Sequence, residues 1–251
     1  MAASLNAVAA ADLTARDVTV QFYKAETNQR VNLAGRDLSN LDLAGLDFKA
    51  AIMTKANLYG VDLSSANLRG TDLAGARLDR AILVQTDFSG ANLQGATIMA
   101  PSVFSGGSFD HADAPKFMGA NLRGARIAAR MDGADFRGAD LTDARIGPAE
   151  RQSEAGMAHS SFMMGSNFSG ANMTGSDIRE VDFTFGRFVG SNMRSAKLIH
   201  VDLSRTDFSG ADLTDADLTD SNLDGANLSG VKGFDTVKGL ASVQNLATAQ
   251  R

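Results

Sequence analysis

Large apolar residues recur at every fifth position over two long stretches of the chain, with polar or small residues between them. The first stretch runs from Leu33 to Ile98 and the second from Phe168 to Leu228. This period fits neither the roughly 3.6-residue period of a helix nor the alternation of a flat strand. The chain must therefore turn every five residues. We expect the core to include the apolar positions Leu33, Leu38, Leu43, Phe48, Leu58, Leu63, Leu68, Leu73, Phe88, Leu93, Phe168, Phe183, Phe188, Leu203, Phe208, Leu213, Leu218, Leu223 and Leu228.

An Asp or Asn often precedes the apolar residue, a small residue comes before that, and Gly, Asp or Ala closes the unit. A coil with four short sides satisfies this pattern, because each side turns one large and one small residue inward. The run ADLTDADLTDSNLDGANLSG, from Ala211 to Gly230, resembles the pentapeptide-repeat family. The resemblance implies an all-β solenoid, a right-handed quadrilateral parallel β-helix. With strands about 4.8 Å apart, some 200 repeat residues would make roughly ten coils and a rod of about 45 Å.

Both ends of the chain carry patterns typical of caps, which protect the open ends of a solenoid. Thr14 followed by Asp17 predicts a capping box and a short helix. We therefore expect an N-terminal segment and helical cap over residues 1–30, a β-helix over 31–230 and a C-terminal cap helix over 231–251. The last of these rests on apolar residues that recur every three positions, at Phe234, Val237, Leu240, Val243 and Leu246.

The repeat slips in the middle of the chain, where we predict irregular loops at about 99–116 and 147–161. The apolar pattern passes through Phe104 and resumes at Phe162. The second loop is polar, so it should protrude, and its charged residues Glu150, Arg151 and Glu154 are candidates for contact with a partner.

The sequence offers few groups for catalysis. It has no Cys and three His, and its serines lie outside nucleophile motifs. Asp110, His111 and Asp113 form the one His–carboxylate cluster, which we interpret as a solvated loop because no further ligand has metal-site spacing. The glycines fall at repeat corners and form no phosphate-binding loop. We expect no enzyme activity, no cofactor and no metal.

Charge is distributed unevenly along the chain, whose formal net charge is -5. This balance disfavours direct nucleic-acid binding. Arginines cluster in the middle, between Arg123 and Arg145. The absence of Cys and of a signal-peptide pattern favours a cytoplasmic location, and no segment is apolar enough to span a membrane. The acidic end supplies further candidate interaction residues, namely Asp202, Asp207, Asp212, Asp215, Asp217, Asp220 and Asp224.

These observations favour a structural or interaction module: a rod, scaffold or accessory subunit that docks a protein partner through its faces, loops or caps. The family resemblance implies an alternative, since some members mimic DNA and bind DNA gyrase or topoisomerase IV, conferring quinolone resistance. The acidic end fits that role, and the arginine-bearing middle does not. The apolar stripe from Phe234 to Leu246 leaves two readings open: a homodimer contact or a cover for the last coil.

Overall fold

The computed structural model describes residues 12–26, 29–104, 110–148 and 161–250. Within these ranges no helix is long and apolar enough to cross a membrane. The chain consists mainly of single-residue β-bridges and turns, with a few short helices and strands. They are α1 (Ala15–Lys24), β1 (Thr97–Met99), β2 (Arg126–Ala128), β3 (Arg145–Ile146), β4 (Ser161–Phe162), β5 (Asp177–Arg179), β6 (Val181–Asp182), β7 (Lys197–Ile199) and three-residue 3-10 turns at His111–Asp113, Phe234–Thr236 and Leu246–Thr248.

The chain winds into ten stacked coils, each with four sides, and every side pairs in parallel with the side one coil on. We number the four faces of the rod in chain order, starting from the bridges at Asn32, Asp37, Asp42 and Asp47. Face 2 contains the longest sheet, in the order β1-β2-β3-β5-β7, and β4 and β6 pair on face 3. The predicted fold, an all-β solenoid of the right-handed quadrilateral parallel β-helix type, is confirmed.

Each corner is a four-residue turn that brings the chain onto the next face. The Arg36 amide donates to the Leu33 carbonyl at 3.1 Å, and the third turn residue, Gly35, has a φ of 66°. A positive φ at that place is the requirement of a type II turn. The Asp or Asn of the repeat supports the corner: the Asp37 carboxylate accepts from the Ser39 amide at 2.9 Å and from the Asn57 side chain of the next coil at 2.9 Å. This explains why that position favours Asp and Asn.

The core consists of four columns of large side chains, one behind each face, separated by small residues. Every apolar residue that we selected from the repeat is buried, with at most 5% of its surface exposed. Behind face 4 the column is mainly aromatic, and its neighbouring rings stack in parallel at Phe88, Phe117, Phe136, Phe168, Phe188 and Phe208. The five-residue spacing therefore repeats one interior environment in every coil.

The register slips are two insertions and one shortened side. The first insertion lies between Ser102 and Lys116, which belong to adjacent faces of one coil. The side between Arg126 and Arg130 is one residue short, and the second insertion separates Arg145 from Phe162. Met99 still belongs to β1, so the first loop begins later than we predicted.

Two aromatic residues that seemed to continue the core pattern lie outside it. The inward residues are Val103 and Met163, with 2% and 0% of their surfaces exposed, while Phe104 and Phe162 are half-buried on the outer surface. The prediction was wrong by one residue at each place, because it followed the larger aromatic side chain and not the five-residue spacing that relates Val103 to Ile98 and Met163 to Phe168. The rings of Phe104 and Phe162 therefore lie at the outer surface of the rod.

The N-terminal cap forms as predicted at its start. The Thr14 hydroxyl accepts from the Asp17 amide at 3.2 Å, and the Asp17 carboxylate accepts from the Thr14 amide at 3.0 Å, so the capping box is complete. Phe22 of α1 is 2% exposed and meets the ring of Phe48 edge-on at 5.3 Å. The helix therefore covers the apolar end of the first coil.

The predicted C-terminal cap helix is wrong, because residues 231–250 form a tenth coil instead. Its bridges to the coil below fall at Lys232, Lys238, Gln244 and Gln250, so successive bridges within this coil are six residues apart. A residue with positive φ follows each of the first three bridges, at Gly233, Gly239 and Asn245, and three-residue turns follow them. An α-helix cannot continue through such residues. The apolar residues that recur every three positions are thus two sets with a six-residue period.

Candidate interaction surfaces

The acidic candidate residues form a collar around the rod. Asp202, Asp207, Asp212 and Asp217 occupy faces 3, 4, 1 and 2 in turn. Asp215 lies at the corner between Asp212 and Asp217, and Asp220 and Asp224 lie at the next two corners of the same coil. The reason is geometric: Asp202 pairs with Asn222 one coil on, so a cluster within that stretch must wrap around the rod. We call these seven residues the acidic collar.

Much of the collar's charge is engaged within the protein. Arg194 forms a salt bridge with Asp212 at 3.2 Å, and the Thr214 hydroxyl bound to that carboxylate lowers the pKa of Asp212, with Arg194 adding to the effect. The pKa of Asp217 is lowered by the Thr219 hydroxyl, with help from nearby lysines. These carboxylates therefore stabilise corners and counter neighbouring cations.

The remaining candidate interaction residues belong to the second insertion and to the C-terminal coil. Glu150, Arg151 and Glu154 lie outside the described residues. The C-terminal apolar set lines the open end of the tenth coil, where Phe234, Leu240 and Leu246 are half-buried and Val237 is 9% exposed. They pack against the core below and leave part of their surface uncovered.

Face 3 carries a row of aromatic and arginine side chains that the sequence pattern did not reveal. The Arg130 guanidinium lies 5.7 Å from the centre of the Phe104 ring and 5.5 Å from that of Phe162, and it also pairs with Asp132 at 2.7 Å. Arginine beside an aromatic ring is a common combination at protein interfaces. The outward direction of the two rings, which becomes visible only when the register is known, was the missing signal.

Phe185 extends this row at the edge between faces 3 and 4. Its side chain is 53% exposed, and the Arg205 guanidinium lies 5.5 Å from its ring. The residue has a φ of 63°, at the turn position that glycine often fills in other coils. A bulky residue in this conformation is strained. We call Phe104, Arg130, Phe162, Phe185 and Arg205 the face-3 row.

Face 2 contains a pocket of about 210 Å³, beside the point where the second insertion leaves the rod. Arg126 and Arg145 line it from the neighbouring strands β2 and β3. Arg179, which forms a salt bridge with Asp177, lines it from β5. Gly147 closes one end. A Cβ added there would lie 2.2 Å from the Arg179 carbonyl oxygen, so only glycine fits.

The cluster Asp110, His111 and Asp113 is absorbed into the structure of the first insertion. The Asp110 carboxylate accepts from the Ala112 amide at 2.8 Å, and Asp113 is buried and accepts from the Gln85 side chain at 3.3 Å. Asp110 and His111 are exposed, as expected of a solvated loop, whereas Asp113 lies against the rod; the His111 ring lies over Gly133. Among the described residues, no group of three His, Cys, Asp or Glu side chains could hold a metal ion.

Comparisons with known proteins give one family and several similar structures. The family model for pentapeptide repeats matches in eight copies, over residues 29–64, 61–98, 116–146, 164–194 and 191–230, which is more than half of the chain. A search among curated proteins finds no significant sequence match.

Three solved structures illustrate the similarity. HetL, a pentapeptide repeat protein involved in heterocyst differentiation regulation from the cyanobacterium Nostoc sp. strain PCC 7120, is 22% identical with a TM-score of 0.40, and the match covers 93% of this chain and 98% of HetL. QnrB1, a plasmid-mediated fluoroquinolone resistance protein, is 17% identical with a TM-score of 0.44 over 69% and 87% of the two chains. A pentapeptide repeat protein from the Arabidopsis thaliana thylakoid lumen is 29% identical with a TM-score of 0.25 over 52% and 81%.

Proposed function

Because the chain belongs to the pentapeptide-repeat family, we propose that it acts as a rigid, non-catalytic scaffold or accessory subunit, which docks a protein partner along its face-3 row. The rod holds its surface side chains in fixed positions, since each coil is hydrogen-bonded to the next. Because the rod is already ordered, its binding to a partner carries only a small entropic cost on the side of the rod. We place this interaction in the cytoplasm, as the absence of Cys favours.

The exposed, strained Phe185 is the observation that supports this proposal most directly. A left-handed conformation costs an ordinary residue about 1–2 kcal/mol. Other non-glycine residues, such as Arg80 and Arg205, have a positive φ at the same corner position, so what sets Phe185 apart is its exposed aromatic ring. Its exposure gives it no compensating place in the core, and the neighbouring Arg205 resembles the aromatic–arginine pairs of interface centres.

The alternative role as a DNA mimic that binds gyrase or topoisomerase IV has less support. Such mimicry requires negative charge along the length of the rod, in the manner of a phosphate backbone. The acidic collar is instead confined to two of the ten coils, and face 2 exposes the positively charged Arg126 and Arg145. The charge pattern therefore favours the scaffold role.

The open end of the tenth coil supports a separate proposal, that two copies of the chain associate end to end. Phe234, Leu240 and Leu246 leave apolar surface uncovered there. An uncovered solenoid end also presents strand edges that favour pairing with another chain. A two-fold axis at this end would bring the same apolar surface of both copies together.

The substitution Phe185→Asn tests the docking proposal. Asn adopts positive φ more readily than Phe, so the variant should fold with equal or higher stability, by up to about 1 kcal/mol. Affinity capture from lysate of the source organism, followed by mass spectrometry, should then lose a partner that the wild-type chain retains at moderate salt.

The matched control is Tyr23→Ser, which removes a ring that is 87% exposed on α1. This variant should retain the partner. If both variants retain the same proteins, the face-3 row is not the docking site. If gyrase subunits are recovered at low salt only, and Phe185→Asn captures them equally well, the DNA-mimic alternative is correct instead.

A further inference from the structure

Arg126 and Arg145 occupy an unusual position on face 2. They are directly opposite each other in the parallel register of β2 and β3, and both side chains are exposed. Like charges that face each other across neighbouring strands are destabilising. Each of the two places could hold Asp or Asn, as many equivalent positions of the repeat do. Asp177 lies opposite Arg145 on its other side, but that carboxylate is already paired with Arg179, so the two arginines together still carry uncompensated charge.

Nearby cations on the same face have acidic partners. Arg77 pairs with Asp79 at 2.7 Å, and Arg179 pairs with Asp177 at 2.6 Å. Asp177 is opposite both Arg145 and Lys197 in register, in addition to its salt bridge with Arg179. Over residues 12–26, 29–104, 110–148 and 161–250, the structure gives neither Arg126 nor Arg145 a salt bridge or a side-chain hydrogen bond.

The pocket beside these two arginines has the size and charge for a doubly charged oxyanion. Its arginines and Asp177 leave two positive charges, because the Asp177–Arg179 pair is neutral. A phosphate group carries about -1.5 to -2 charges at neutral pH. Guanidinium groups donate paired hydrogen bonds to phosphate oxygens, and strands about 4.8 Å apart allow two of them to reach one phosphate.

The pocket lies where face 2 borders the second insertion, and its lining includes Gly147 and Pro148, the last described residues before that insertion. The volume of about 210 Å³ exceeds that of a phosphate ion and leaves room for an attached group. Half-buried Met99 and Pro148 offer that group apolar contacts.

We propose that this pocket is a binding site for a phosphate group, held by Arg126 and Arg145. The ligand is inorganic phosphate or a small phosphomonoester, which share the dianionic group. The site is separate from the face-3 row, so it stands whether or not a protein docks there.

Isothermal titration calorimetry of the full chain tests the proposal, with inorganic phosphate and glycerol 3-phosphate as probes and chloride at matched ionic strength as the reference. Both probes should bind and raise the unfolding temperature. Tighter binding of glycerol 3-phosphate would identify the ligand as a phosphomonoester, and equal or weaker binding would identify it as free phosphate. No saturable binding of either probe would overturn the proposal.

The variants Arg126→Gln and Arg145→Gln should each weaken phosphate binding by about tenfold or more, as expected for loss of a hydrogen bond between charged groups. Without phosphate, each should unfold at the same or a higher temperature than the wild-type chain, because the repulsion is gone. Arg187→Gln removes the same charge from the equivalent position on face 4 and should leave binding unchanged. An equal loss in this control would show general charge attraction and refute the site.

Discussion

Phe136 and Phe168 stack with ring centroids 4.6 Å apart and planes within 3° of parallel, although the second insertion separates them in sequence. The aromatic column continues on both sides, to Phe117 at 4.8 Å and to Phe188 at 5.1 Å. The insertion therefore leaves the interior unchanged, since it departs and returns at a corner. Long loops at the surface cost little when their ends are held close together.

Removal of residues 149–160 should restore the five-residue register. Ile146 and Met163 are consecutive inward residues, and the deletion leaves them five positions apart. The new corner needs a positive φ at position 148, which proline cannot adopt. We therefore combine the deletion with Gly147→Pro and Pro148→Gly, the order that suits a type II turn. The restriction to glycine at position 147 belongs to its φ of 135° in the full chain, which the new corner replaces. The shortened chain should unfold at the same temperature as the full chain or above it, as measured by circular dichroism.

The same deletion with Gly147 and Pro148 left unchanged is the matched control. It should unfold at a lower temperature, because proline stands where the corner requires a positive φ. Equal stability of the two shortened chains would contradict the turn assignment. Loss of folding in both would show that the insertion supports the rod.

The middle of the aromatic column should be sensitive to a cavity. Phe136→Ala removes a fully buried ring that stacks on both sides, and it should lower the free energy of unfolding by about 3–5 kcal/mol. Phe136→Leu should cost clearly less, because Leu68 and Leu228 fill equivalent positions of this column. Guanidinium denaturation followed by circular dichroism measures both. Equal losses would show that volume does not limit packing there.

Acid should destabilise the rod through carboxylates such as Asp217. The Thr219 hydroxyl holds the pKa of Asp217 below its ordinary value of 3.8, with Lys238 and Lys197 contributing. A lowered pKa in the folded state gives stability that is complete above the ordinary value and is lost as pH falls through the folded value. The unfolding temperature should therefore be level near neutral pH and fall below about pH 4.

Asp217→Asn should reduce this acid-dependent fall. Asn57, at the equivalent position of face 2, accepts a hydrogen bond from the amide two residues on, as Asp217 does from Thr219. The substitution thus retains the turn and removes the titrating group. Thermal unfolding at a series of pH values compares the two chains, and parallel curves for the wild type and the variant would contradict a role for this carboxylate.

End-to-end association should depend on the apolar end of the tenth coil. Leu240→Lys places a charge there and should convert a dimer to a monomer in sedimentation velocity experiments. Ala241→Lys adds the same charge at a neighbouring exposed position and should leave the dimer intact. A wild-type chain that sediments as a monomer over the whole concentration range would refute the association.

The core was predictable because a single rule, one large apolar residue in five, applies wherever the register holds. The choice of Phe104 and Phe162 departed from this rule: the inward residue Val103 lies five positions after Ile98, and Met163 lies five positions before Phe168. The rule itself failed beyond Gly230, where successive bridges within the coil are six residues apart and the apolar spacing matches a helix equally well. Beyond Gly230 the local pattern alone could not distinguish a helix from a coil, because both bury apolar residues at similar intervals.

The amino-acid sequence by itself determined the solenoid, its family and the N-terminal cap, since these depend on local turns and on contacts that recur in every coil. The tertiary structure decided which distant residues share a surface. Arg126 faces Arg145, and Arg130 lies between Phe104 and Phe162, only because insertions of particular lengths set the register between coils. The acidic residues form a collar for the same reason: one coil carries a short stretch of sequence around all four faces.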